Sequence, residues 1–191
     1  MDSLIEEKTF EGLTIETFSQ TTKYENCEFR HCSLSNADLS DCKFTDCIFM
    51  DCDLSLAKLH QTAFRNVRFK DCKMLGLQFD ECNEFGLGFS FENCLLNHAS
   101  FYGTKIKKTG FKNCTLQGTD FAECDLSSAI FDLCNLEGAI FDHTNIEKAD
   151  FRTAVHFTID PESNRIKKAR FSNLGLSGLL TRYDIIIEDD F

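Results

Sequence analysis

The stretch "FKNCTLQGTDFAECDLSSAIFDLCNLEGAIF", residues 111–141, has a large apolar residue at every fifth position: Phe111, Leu116, Phe121, Leu126, Phe131, Leu136 and Phe141. Followed outward, the series starts at Phe91, passes through Leu96, Phe101 and Ile106, and continues beyond Phe141 to Ile146 and Phe151 without a polar exception. A second unbroken series runs from Tyr24 through Phe29, Leu34, Leu39, Phe44, Phe49, Leu54, Leu59, Phe64, Phe69 and Met74 to Phe79. Two residues before most centres stands a small side chain, such as Cys27, Cys32, Ala37 and Cys42 in the first series or Cys94, Ala99, Thr104 and Cys114 in the second. The repeating unit is small-x-apolar-polar-polar.

A period of five fits neither a 3.6-residue helix nor a two-residue strand, so the chain must turn a corner once per unit. If the centre and the small residue two before it both point inward, as alternate residues of one short strand do, the other three positions face solvent and make the turn. Successive coils then stack through backbone hydrogen bonds about 4.8 Å apart around a column of apolar centres.

The units "ADLSD" (37–41), "CDLSL" (52–56), "CDLSS" (124–128), "CNLEG" (134–138) and "ADFRT" (149–153) resemble the A(D/N)Lxx unit of the pentapeptide-repeat family, over about residues 22–153. The resemblance implies an all-β, right-handed quadrilateral parallel β-helix with four units, twenty residues, per coil. Independently, Phe alternates with Leu or Ile in the second series. Twenty-residue stacking would put Phe91, Phe111, Phe131 and Phe151 in one column and Leu96, Leu116 and Leu136 in the next, although a ten-residue period explains the alternation equally well.

The chain has 191 residues, 42 % hydrophobic, with twenty Phe, eleven Cys, one Pro and no Trp. That bias fits one slot filled repeatedly within a single domain. The expected division is an N-terminal cap over 1–21, repeat blocks over 22–79 and 91–153, a junction at 80–91, and an irregular coil with C-terminal cap over 154–191. Residues 9–18 lie outside the beat and read as cap. At the other end Ser172 or Asn173 opens a short capping helix bearing Leu174, Leu176, Leu179 and Leu180, followed by strand-like "DIIIED", and "DPESNR" reads as a turn. The family resemblance implies that this tail also joins two copies into a homodimer. The N-terminus lacks a basic and apolar leader and no stretch approaches a membrane span, so a cytoplasmic protein is expected.

Every cysteine falls two residues before a centre or its bulged equivalent, with Cys32, Cys52 and Cys72 expected in one column and Cys94, Cys114 and Cys134 in another. A thiolate metal ladder is conceivable, but Cys is a small buried hydrophobe sharing its slot with Ala and Thr, and the repeat explains its spacing. His31, His60, His98 and His143 fall on outward positions without a nucleophile or ligand motif, and no phosphate loop, dinucleotide fingerprint or Ser/His/Asp arrangement is visible. The reading is a protein without enzymatic activity, cofactor or metal.

What remains is the outer surface. The formal net charge is −11, and residues 1–92 carry 17 Asp and Glu against 9 Lys and Arg while the rest carries 14 against 11. The resemblance includes Qnr-type quinolone-resistance proteins that bind type II topoisomerases through a DNA-like acidic rod. It therefore implies a possible partner in DNA gyrase or topoisomerase IV, met by Asp38, Asp41, Asp46, Asp51, Asp53, Asp71 and Asp80. The other reading is a scaffold for an unrelated protein. Duplex DNA carries one charge per about 1.7 Å, so roughly 30–35 Å of matching rod would need about twenty. With about half that, and with basic bands in "TKIKKTGFKN" and "NRIKKAR", any imitation is uneven. Nucleic acid itself is repelled.

The two series are out of phase by two residues across "DECNEFGLGFSFENC", 80–94. Counting Glu84 as a centre would bury an unpaired carboxylate. The preferred account has two six-residue steps, Phe79 to Phe85 to Phe91, each a single-residue bulge eased by Gly86 and Gly88, with Glu84 turned outward as a candidate recognition residue.

Overall fold

The computed structural model describes residues 3–18 and 23–188, and the expectations that fall on 19–22 and 189–191 lie outside them. The chain winds as a parallel β-solenoid with four faces. On the first face, strands β1 (Leu4–Glu6), β3 (Lys23–Glu25), β5 (Lys43–Thr45) and β7 (Ala63–Arg65) form a four-stranded sheet. The second face is a seven-stranded sheet of β2 (Thr9–Glu11), β4 (Glu28–Arg30), β6 (Ile48–Met50), β8 (Val67–Lys70), β9 (Phe89–Glu92), β10 (Gly110–Lys112) and β11 (Ile130–Asp132). Single parallel bridges build the third face, from Thr14↔Ser33 to Asn135↔Val155, and the fourth, from Asp38↔Lys58 to Asp120↔Ile140.

The pairing settles the period. Phe29 aligns with Phe49 and Phe49 with Phe69, one coil per twenty residues, and the ten-residue alternative falls away. On the second face the rings of Phe10, Phe29, Phe49, Phe69, Phe91, Phe111, Phe131, Phe151 and Phe171 stack with centroids 4.6–5.4 Å apart. Identical residues directly above one another let each ring adopt the offset-stacked arrangement its quadrupole favours.

Corners explain the polar half of the unit. The residue two after nearly every centre has positive φ, as at Asn26 (50°), Asp46 (52°), Asn66 (52°) and Asn113 (50°), which is why Asn, Asp and Gly recur there. The next small residue's N–H returns to the centre's carbonyl, Ala37 N to Leu34 O at 3.0 Å and Ala129 N to Leu126 O at 2.9 Å, closing a β-turn. The small slot's C=O then faces the neighbouring coil, for example Cys32 O accepting from Asp53 N at 2.9 Å.

Three expectations change. Residues 9–18 do not form a separate cap: β1 and β2 continue the ladder with a coil one residue short, Leu4 pairing with Lys23 and Thr9 with Glu28, and Phe10 stacks on Phe29. The six cysteines expected in two columns occupy one. The ladder crosses the slip in a twenty-two-residue step, Lys73 to Leu95, which sets Cys94 against Cys72.

The slip itself is one loop on the first face, not two bulges. Phe79 stays in the fourth-face column, 4.5 Å from Phe101, and Phe91 stays in the second-face column. Both extra residues lie between Cys82, whose successor Asn83 bonds Thr62 O, and Phe89, which pairs with Val67. Phe85 is 79 % exposed rather than a core centre. Phe89 takes its place energetically: it sits in a slot filled elsewhere by Cys, Val, Thr or Ala, and its ring meets Phe64, Phe79, Phe91 and Phe101. A large side chain in a small slot, with half-buried Leu87, fills the volume that the missing centre leaves. Glu84 points outward as expected, and Gly86 adopts φ +73°, a conformation that suits glycine. Gly88 is not in that region.

At the C-terminal end a 3-10 segment, Asn173–Leu179, lies across the last coil, preceded by Ser172 as expected but without a side-chain cap bond. A Cβ at Gly178 would stand 2.3 Å from Phe157 O, so the close approach requires glycine there. Residues 185–188 belong to no helix, strand or bridge. Among the described residues no helix is long and apolar enough to cross a membrane.

Candidate protein-interaction surface

The inside of the solenoid is filled. All eleven cysteines are buried and reduced, each in its small slot. In the six-residue column the thiols donate to carbonyls of their own and the preceding coil, as Cys52 Sγ does to Met50 O (3.2 Å) and Phe29 O (3.3 Å). Hydrogen bonding from the next thiol, together with burial, pushes Cys94 and Cys114 up to about 12, and burial, against the Thr104 hydrogen bond, pushes Cys124 up to about 12. These three thiols are protonated packing groups rather than nucleophiles. Among the described residues no group of three or more His, Cys, Asp or Glu is arranged to hold a metal ion. The chemistry available to a partner is therefore on the outside.

The acidic residues singled out from sequence do not gather on one face. Asp51 and Asp71 share the corner between the second and third faces, one coil apart, with Asp53 beside them on the third face. Asp46 lies on the corner between the first and second faces, Asp41 on that between the fourth and first, Asp38 and Asp80 on the fourth face, and Glu84 in the first-face loop. Several are fixed by neighbours. Asn66 Nδ2 donates to Asp46 Oδ1 at 2.5 Å and Asn93 Nδ2 to Asp71 Oδ1 at 2.7 Å, so the corner carboxylates are held in line with the coils. Asp38 is lowered below the ordinary carboxylate range chiefly by the Ser40 hydroxyl and N–H. Burial works against ionising Asp53, but Ser55 and Lys73 outweigh it and hold it low, with Lys73 Nζ 3.3 Å away. Asp53 is thus part of a surface ion pair and offers less free charge than its sequence position suggested.

The four C-terminal leucines also divide. Leu179 packs against the core and Leu180 is half-buried, which makes them cap residues. Leu174 (95 % exposed) and Leu176 face solvent together with Ile185, Ile186 and Ile187. Beneath this segment runs an open groove of about 890 Å³ lined by Val155, Phe157, Leu180 and Ile185, among others. The "DPESNR" turn has a use that sequence did not reveal: Arg182 Nη1 pairs with Asp160 Oδ2 at 2.7 Å and Glu162 Oε2 at 3.0 Å, and Tyr183 donates to Glu162 Oε1 at 2.9 Å. The turn fastens the cap.

Phe85 is the surface residue that sequence reasoning missed. Its ring lies under the Arg65 guanidinium, 5.5 Å from ring centroid to Cζ, and Arg65 Nε also donates to Phe85 O at 3.4 Å. The available signal was Phe89, an oversized residue two before Phe91 that could supply the missing core volume.

The family model for the pentapeptide repeat region matches residues 22–101 and 87–155. The chain belongs to the pentapeptide-repeat family. No curated protein matches the sequence. Among solved structures this pentapeptide-repeat chain is similar to two trypsin-treated, single-substitution forms of QnrB1, a plasmid-mediated fluoroquinolone resistance protein. One match covers 98 % of both chains at 18 % identity, and the other covers 99 % of this chain and all of that one at 19 %. Both have a TM-score of 0.64, a likeness of fold over the whole length.

Proposed function

We propose that this pentapeptide-repeat protein acts without chemistry of its own, as a rigid acidic rod recognised by a type II topoisomerase, DNA gyrase or topoisomerase IV, in place of duplex DNA. The observation that carries the reading is the set of corner carboxylates, Asp41, Asp46, Asp51 and Asp71. They are exposed on a scaffold whose filled core prevents it from bending to accommodate a partner, and two are held in line by Asn ladders. The whole-length likeness of fold to a fluoroquinolone resistance protein is in keeping with that partner. A gyrase supercoiling assay with and without a quinolone tests it: inhibition, or protection from the drug, at micromolar protein is expected, and neither effect would leave no support for this partner.

A second reading, a scaffold for an unrelated protein, is favoured by the ion pairs that neutralise part of the surface, Asp53 with Lys73 and Glu92 with Lys112 at 2.9 Å. Both readings include a homodimer through the C-terminal end, where Leu174, Leu176 and Ile186 expose apolar surface that a second copy would cover. Sedimentation analysis should find twice the chain mass for the wild type and a single chain for Leu174→Glu/Ile186→Glu. Equal masses for the two would remove the dimer.

A further inference from the structure

In its later coils one edge of the rod is basic. The corner between the first and second faces carries Glu7, Asn26, Asp46 and Asn66 in the early coils but Lys108, Lys148 and Lys168 in the later ones, interrupted by Ser128. These lysines have φ of 61°, 62° and 61° in a slot where Asn, Asp or Gly is the low-strain choice. Lys148 and Lys168 occupy adjacent coils, so like charges start from backbones about 4.8 Å apart. Two local costs, backbone strain and repulsion, are thus accepted at the same positions. Lys105 and Lys167 extend the strip on the first face, and none of these five lysines has an ion pair among the described residues. Of the acids on this face, Asp125 is engaged by Lys107 at 3.2 Å and Glu147 by Arg165 at 3.2 Å, while Glu84 in the loop has no ion pair among the described residues.

The strip begins at Phe85, which at 79 % exposure is the most exposed apolar side chain among the described residues of this face. Phe85, Leu87, Glu84 and Lys105 line a depression of about 370 Å³, and Arg65 covers the Phe85 ring from the other side. From the Phe85 loop to Lys168 the edge crosses four coil spacings, about 19 Å, the length of roughly six residues of extended chain. A longer polyanion would leave the strip and run over the acidic surface of a chain with net charge −11, whereas a short acidic segment would not.

We propose that this edge is a docking site for an extended acidic segment of a protein partner, with an apolar residue of that segment seated against Phe85 and its carboxylates along Lys105, Lys108, Lys148 and Lys168. The site is separate from the acidic corners and stands or falls independently of the topoisomerase reading.

Fluorescence anisotropy with a labelled acidic octapeptide carrying one Leu tests it. A single-stranded oligonucleotide of equal charge is the second probe, and thermal unfolding checks each variant. The peptide is expected to bind in low salt and to weaken steadily as salt rises. Lys108→Glu/Lys148→Glu/Lys168→Glu and Phe85→Ser should each lower its affinity about tenfold or more with an unchanged melting temperature. No peptide binding in low salt, an unchanged affinity in the folded triple variant, or tighter binding of the oligonucleotide than of the peptide would each overturn the proposal.

Discussion

At the scale of single residues, the chain depends on a division of labour within five positions, and the outward ones carry more structure than a polar surface usually does. Asp150 shows this. It accepts from Arg152 Nη2 at 2.8 Å and from Arg152 N at 3.1 Å, with Arg170 Nη1 3.4 Å away on the next coil, and these contacts, the Arg152 side chain first, hold its carboxyl below the ordinary value of 3.8. A depressed carboxylate contributes stability above its unfolded pKa and loses it as pH falls through its folded pKa. Thermal stability should therefore be level near neutrality and decline below about pH 4. Asp150→Asn should cost about 1 kcal/mol at pH 7 and reduce the slope of that acid decline, both read from melting curves. An identical slope in wild type and variant would show that Asp150 titrates alike in the folded and unfolded chain.

At the scale of elements, what was legible depended on whether a position repeats. The Phe column from Phe91 to Phe151, the cysteine slots and the outward Glu84 follow from periodicity, because any other register would bury charge or expose Phe on every coil at once. Where the period broke, local counting could not separate two six-residue steps from one loop. Both keep the flanking columns aligned, and the choice turns on whether Phe85 or Phe89 fills the core, a question of volume in three dimensions. Similarly, β1 and β2 were hidden by a coil of nineteen residues, and the function of Asp160 and Glu162 by a partner, Arg182, twenty residues on. The candidate surface was read less well than the fold, since the acidic residues are spread over several corners and Asp53 is paired. The loop gives a direct contrast. Phe89→Ala should destabilise by about 3 to 5 kcal/mol through the cavity it leaves, whereas Phe85→Ala should stay within about 0.5 kcal/mol by denaturant melts. The reverse order would restore Phe85 to the core.

At the scale of the whole molecule, the solenoid converts sequence spacing into spatial spacing, so that residues twenty apart become neighbours on an edge. The outer surface is accordingly segregated: carboxylates on the corners of the early coils, lysines along one edge of the later coils, and exposed aliphatic residues at the C-terminal end. Each region suits a different contact, and the first carries the proposed function. If the acidic corners stand in for duplex DNA, the protein and DNA must compete for one site on the enzyme. The most direct measurement is therefore the binding of gyrase to a labelled DNA duplex, titrated with this protein and with its Asp41→Lys/Asp46→Lys/Asp51→Lys/Asp71→Lys variant. The account predicts that the wild type displaces the duplex and that the folded variant does not. Displacement by both proteins alike, or binding to gyrase that leaves the duplex in place, would contradict it.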